Sequence, residues 1–167
     1  SWSAGDLFVI PGFEEVEVGY PSLSKDGLIM YFSAKSPRGF GGMDIYYMSR
    51  EDDRDPFGEP VNIGAPINTA GDEVFPNIRQ PGVLYFASDG HVGMGGLDIY
   101  RTEMDTAGEW QEPTNMKPPI NSSYDDFGII FYGKKEKGYF SSNREGGKGL
   151  DDIYYFKVPP LELAVRG

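Results

Sequence analysis

The chain has 167 residues, enough for one domain with a workable core, and carries 15 basic against 26 acidic side chains, a formal net charge of −11. That charge repels a phosphate backbone, so nucleic acid is not an expected partner. No apolar run approaches the roughly 20 residues needed to span a bilayer, so direct membrane insertion is not expected either. With no cysteine and one histidine, His91, disulfides, thiolate metal sites and thiol or imidazole catalysis largely drop out. The 23 glycines, 13 prolines and abundant Tyr and Phe, without long helix-forming runs, predict an all-β chain with frequent turns.

Residues 2–10 read as a short strand linking from a preceding unit, because Trp2 matches Phe57 and Trp110, which each follow a strand. Glu14, Glu15 and Glu17 lead into a strand over 16–24, and Lys25-Asp26-Gly27 makes a tight hairpin turn in which glycine supplies the positive φ. The strand over 27–34 is apolar at nearly every position, as expected of a strand covered on both faces. A glycine-rich loop follows, then a strand over 44–50, a polar turn at 51–56 and a weak strand at 60–63 whose prolines suit a sheet edge.

The same text then recurs. Tyr31-Phe32, Tyr85-Phe86 and Tyr139-Phe140 open copies ending in Asp44-Ile45-Tyr46, Asp98-Ile99-Tyr100 and Asp152-Ile153-Tyr154, a constant step of 54 residues. The second copy predicts strands at 83–87, 98–103 and 113–116, with a tighter turn at Gln80-Pro81-Gly82 because 76–85 is one residue shorter than 21–31. The third predicts strands at 128–132, 138–142 and 152–157. Four antiparallel strands per repeat fit radial β-propeller blades better than a linear β-solenoid, whose coils repeat at shorter periods. The expected organisation is three blades over 1–160, with core strands at about 20–50, 75–103 and 127–157 and linking fourth strands at 2–10, 57–64 and 110–117. Residues 161–167 begin a following domain or form a tail.

On Pro21-Ser22-Leu23-Ser24-Lys25-Asp26-Gly27, Tyr31-Phe32-Ser33 and Gly41-Gly42-Met43-Asp44-Ile45-Tyr46, the chain resembles the TolB-type, WD-like β-propeller repeat over nearly its whole length. The Gly-Gly-x-Asp-Ile-Tyr form, with links such as Pro66-Ile67-Asn68-Thr69 and Asp72-Glu73, is similar more narrowly to the propeller of Bacteroidetes OmpA-family envelope proteins. That resemblance implies helical repeats before the propeller, then a carboxypeptidase-regulatory-like sandwich, whose first strand the tail from Leu161 would suit, and a peptidoglycan-binding OmpA-like domain. One such architecture occurs in a periplasmic lipoprotein of the type IX secretion system, which implies a periplasmic, outer-membrane-associated location. Peptidoglycan binding by the other domains does not transfer to this chain. The third copy departs from the pattern, with Lys148 and Leu150 where the second has Met94 and Gly96.

Three units are fewer than the four to eight blades of ordinary propellers. An excerpt from a longer chain, two chains joining as a homodimer with a six-bladed ring, and an open arc all account for this, the excerpt being preferred.

Asp44, Asp98 and Asp152 each close a glycine loop. As calcium candidates they offer carboxylates beside loop carbonyls; in the preferred reading each carboxylate accepts loop N–H groups and holds the turn, with no cofactor. In a propeller those loops share a face with the inter-blade links, gathering Glu14, Glu15, Glu17, Asp72, Glu73, Asp125 and Asp126 into an acidic rim suited to a basic protein surface or a divalent cation. His91 reads as a surface residue, and the recurring Tyr and Phe pairs read as inter-blade core. No catalytic constellation emerges. The expectation is a non-catalytic protein-interaction scaffold binding other envelope proteins. The alternative is a glycan or peptidoglycan-fragment binding module, or an accessory propeller of a hydrolase.

Overall fold

The computed structural model describes residues 4–158, which form eleven strands and, among the described residues, no helix. They build three separate antiparallel sheets. The first is β1 (Glu17–Leu23), β2 (Ile29–Lys35), β3 (Asp44–Ser49) and β4 (Val61–Asn62), in that order. The second repeats it with β5 (Glu73–Gln80), β6 (Val83–Ser88), β7 (Asp98–Glu103) and β8 (Thr114–Asn115), and the third comprises β9 (Asp126–Phe131), β10 (Lys137–Ser142) and β11 (Asp152–Lys157). Gly27 and Gly82 sit at φ of 75° and 73° in their hairpin turns, and the β5–β6 turn is tight, with Gln80 paired directly to Val83.

The linking strands are much shorter than the sequence suggests. β4 and β8 hold two residues each: one further backbone bond follows each, Ile63 N–H to the Ile45 carbonyl at 3.1 Å and Met116 N–H to the Ile99 carbonyl at 3.0 Å, and a side chain then takes the strand N–H that backbone pairing would have met. Asn68 accepts from the Ile45 N–H at 2.9 Å and donates to the Ile45 carbonyl at 2.9 Å and to Asn62 at 2.8 Å. Asn121 does the same to Ile99 and Asn115 in the second sheet. The strand expected at 2–10 is corrected for its described part: residues 4–10 have no strand pairing. Their stretch instead packs side chains on the first sheet, Phe8 against Phe57 and Phe13 edge-on to Phe32 and Tyr46. Trp2 and the strand expected over 161–167 lie outside the described residues.

The core occupies the two seams where sheets pack face to face. In the first, Tyr31 and Ile45 of one sheet meet Leu84, Phe86 and Tyr100 of the next, with Ile67 from the link between them. In the second, Val83, Tyr85 and Ile99 meet Ile129, Phe140 and Phe156, with Ile120 from the next link. β6 is buried at every residue because it faces a seam on each side. Each large side chain so enclosed contributes on the order of 1.5–3 kcal/mol, and the same enclosure pushes the Tyr31 hydroxyl up to about 12.

The glycine loops lock the seams. A Cβ at Gly41 or Gly95 would fall on the backbone of Ala70 or Tyr124 in the following link, so the two chains approach that closely only with glycine there. Alongside, Met43 N–H donates to Asp72 at 2.7 Å and Leu97 N–H to Asp125 at 2.9 Å, binding each loop to the next sheet. No strand of the first sheet approaches the third, so the stack of described strands is open.

Candidate interaction site at the glycine-loop end

The aspartates that close the glycine loops hold their own turns. Asp44 accepts from Phe40 N–H at 2.7 Å and Asn62 Nδ2 at 3.3 Å; Asp98 accepts from the N–H groups of Met94 and of Gly95, the latter at 3.2 Å. Asp152 accepts from Lys148 and Gly149 at 2.6 and 3.1 Å. A loop that turns N–H groups toward a carboxylate is arranged around an anion, whereas a calcium ion draws in six to eight oxygens. Burial pushes the Asp44 carboxyl up, opposed by the Phe40 N–H. Its second oxygen and that of Asp98, like the Tyr46 and Tyr100 hydroxyls, are enclosed without a hydrogen-bond partner. Among the described residues no three His, Asp or Glu side chains gather as a metal site.

The acidic residues expected on the rim divide in two. Glu14, Glu15 and Glu17 are exposed, and Asp72 and Asp125 are half-buried at the seam locks. Glu73 and Asp126 are corrected: both are fully buried and lie inside the sheets. Glu73 accepts from Thr69 N–H at 2.8 Å, Thr69 Oγ1 at 2.6 Å and Ser88 Oγ at 2.7 Å, and burial pushes its carboxyl up against those hydrogen bonds. Asp126 accepts from Ser122 N–H and Oγ at 2.6 and 2.8 Å and pairs with Arg144. The first sheet has Val18 opposite Ala34 at this register position, so the buried acid occurs in two of the three units.

His91 is also half-buried and not free on the surface. Its Nε2 lies 2.8 Å from the Ile67 carbonyl and its ring packs on Phe86 and Tyr100. Arg144 fills the equivalent place in the third unit, donating to Pro119 and Ile120 carbonyls at 3.0 and 2.5 Å. Each thereby ties its loop to the link, and Arg144 also pairs with the buried Asp126.

What remains at this end is a cleft of about 400 Å³ where the innermost strands converge, lined by Glu17, Asp72, Asp89 and Asp125, with Lys35 as the cation among them and Tyr20 and Phe75 as its floor. The two rings lie 4.1 Å apart between centroids, and Phe75 stacks in turn on Phe127 at 5.0 Å. Tyr20 and Phe75 have φ of 58° and 53°, left-handed conformations that side chains rarely adopt, each at a bulge in its strand. The matching position in the third sheet is Gly128, with φ of 64°. Such conformations cost on the order of 1–3 kcal/mol each and concentrate at binding sites. The sequence reading missed these two aromatics. Their signal was the interchange of Tyr20 and Phe75 with Gly128 at one repeat position, which marks a left-handed backbone.

The opposite, hairpin-turn end has a larger cleft of about 1020 Å³ lined by Lys25, Arg79, Arg101, Lys134, Phe131 and Glu136, among others. Its arginines are engaged: Arg79 lies over Phe131 at 4.0 Å and pairs with Glu136 at 2.5 Å, and Arg101 pairs with Glu103. Comparison with known proteins finds no family model and no curated relative that matches the chain.

Proposed function

We propose that the three sheets are blades of a β-propeller serving as a non-catalytic interaction scaffold in a bacterial envelope, and that its glycine-loop end takes a basic peptide segment of a partner protein. The observation that carries the reading is the cleft itself, in which two strained aromatics form a floor rimmed by four carboxylates. An arginine or lysine entering there meets ring faces below and acids at the sides, gaining cation–π and charge-assisted contacts together. Support for the propeller is the constant register of sheet on sheet across both seams, which is how radial blades pack. The envelope location rests on the resemblance of the repeat to OmpA-family propellers.

The test is calorimetric titration with an arginine- and lysine-rich heptapeptide at two salt concentrations. Binding is expected to weaken with salt and to fall about tenfold, near 1.4 kcal/mol, in the double substitution Glu17→Gln with Asp89→Asn. Equal affinity in the double variant would count against the site. A second reading, as a glycan-binding module, has one observation in its favour: Tyr139 and Tyr155 stand exposed together on the outer face of the third sheet, 5.6 Å between rings.

A further inference from the structure

The hairpin-turn end gathers positive charge against the sign of the whole chain. Four of the 15 basic side chains, Lys25, Arg79, Arg101 and Lys134, line its cleft of about 1020 Å³ with Glu136 as the acid among them, in a chain of net charge −11. The two arginines are held from behind. Arg79 lies on the Phe131 ring at 4.0 Å and donates to the Lys135 carbonyl at 3.3 Å, and Arg101 donates to the Tyr85 hydroxyl at 3.2 Å. Their acid partners stand at the surface instead: the Arg79 side chain is 13% exposed but that of Glu136 is 59%, and Glu103 beside Arg101 is 54%. Glu136 meets Arg79 with both oxygens, at 3.0 and 2.5 Å, the fork geometry that any carboxylate would adopt there. Where the cation is fixed and its acid is exposed, the pair itself contributes little, and another carboxylate can take the acid's place. Lys25 and Lys134 make no ion pair among the described residues.

We propose that this cleft binds an acidic peptide segment of a partner protein, one carboxylate displacing Glu136 from Arg79 while others meet Lys25 and Lys134. The site lies at the opposite end from the acidic cleft and has the opposite preference. Its rings do not offer a platform for a sugar, because Arg79 occupies the Phe131 face and Tyr85 is buried. Ile78, Pro81 and Val83 add apolar lining, which suits aliphatic side chains set between the acids and not a hydroxylated ring.

Calorimetric titration with a heptapeptide of alternating glutamate and leucine tests this. Binding is expected to weaken with salt and to fall about tenfold in Lys25→Glu with Lys134→Glu, both at exposed positions. Glu136→Gln removes the competing carboxylate and is expected to bind the peptide about threefold more tightly. No binding, equal affinity in the double variant, or no gain in Glu136→Gln overturns the proposal. Tighter binding of tetragalacturonate than of the peptide also overturns it, giving the cleft to an acidic sugar. So do multimers of the chain that the double variant abolishes, since the occupant would then be the acidic end of a second copy. β5 runs eight residues between the two ends, roughly 25 Å of strand against a Debye length of about 8 Å. The basic-peptide titration is therefore expected to be unchanged in that double variant, and the two proposals fail separately.

Discussion

Ile99 and Ile153 occupy the same place in successive repeats, yet the first is 0% and the second 77% exposed. Tyr85 and Tyr139 differ in the same way, at 4% and 44%. The strands pair in the same register in both sheets, Ala87 with Ile99 and Ser141 with Ile153, so local structure does not account for the contrast. Burial here belongs to the seam and not to the strand. An apolar residue in a repeat states what should cover it, and the neighbour decides whether it is covered.

The sharpest way to break that contrast is to truncate both isoleucines. Ile99→Ala is expected to cost about 2–5 kcal/mol in a denaturant titration, whereas Ile153→Ala is expected to stay within about 0.5 kcal/mol. Gly95→Ala drives a methyl into the Tyr124 backbone across the second seam, while the nearest neighbours of Gly149 belong to its own loop at Asp151. The former is expected to lose about 1–3 kcal/mol and the latter clearly less, read as a difference in melting temperature. Asn121→Ala strands the Ile99 N–H inside the second sheet, while the Ile99 carbonyl keeps its bond from the Met116 N–H at 3.0 Å. About 1–3 kcal/mol is expected to be lost, with amide exchange at Ile99 speeding up.

The smallest effect separates the second unit from the third. Glu73 is held above its ordinary value of 4.5 by burial. Its contribution is present below that value and is lost as pH rises through the raised folded value. Glu73→Gln removes this dependence. The melting temperature of the parent relative to the variant is expected to be highest near pH 4 and to decline toward neutrality; a flat difference would mean that His91 and the hydroxyls fully offset the burial.

The repeat, the strand order and the turn glycines were legible because each rests on local chemistry stated three times. Asp44, Asp98 and Asp152 were read as turn-holding carboxylates, and their oxygens do accept loop N–H groups. The rim was misjudged where neighbours were treated alike. Asp72 and Glu73 are adjacent at the start of a strand, so they point to opposite sides, and only the former reaches the cleft. Asn68 and Asn121 were visible as recurring link residues, but nothing in their spacing shows that they would hydrogen-bond a strand already formed 23 and 22 residues earlier. Residues 4–10 looked like a strand by analogy with their repeats; pairing needs a partner edge, and the described chain supplies them a face instead.

Asn68 and Asn121 have one more effect. By finishing the outer margin of the first and second sheets with an amide, they leave fewer bare peptide groups there for a foreign strand to zip onto, whereas β11 of the third sheet has no strand beyond it among the described residues. Edge-to-edge growth is therefore expected to start at the third sheet and not at the first two.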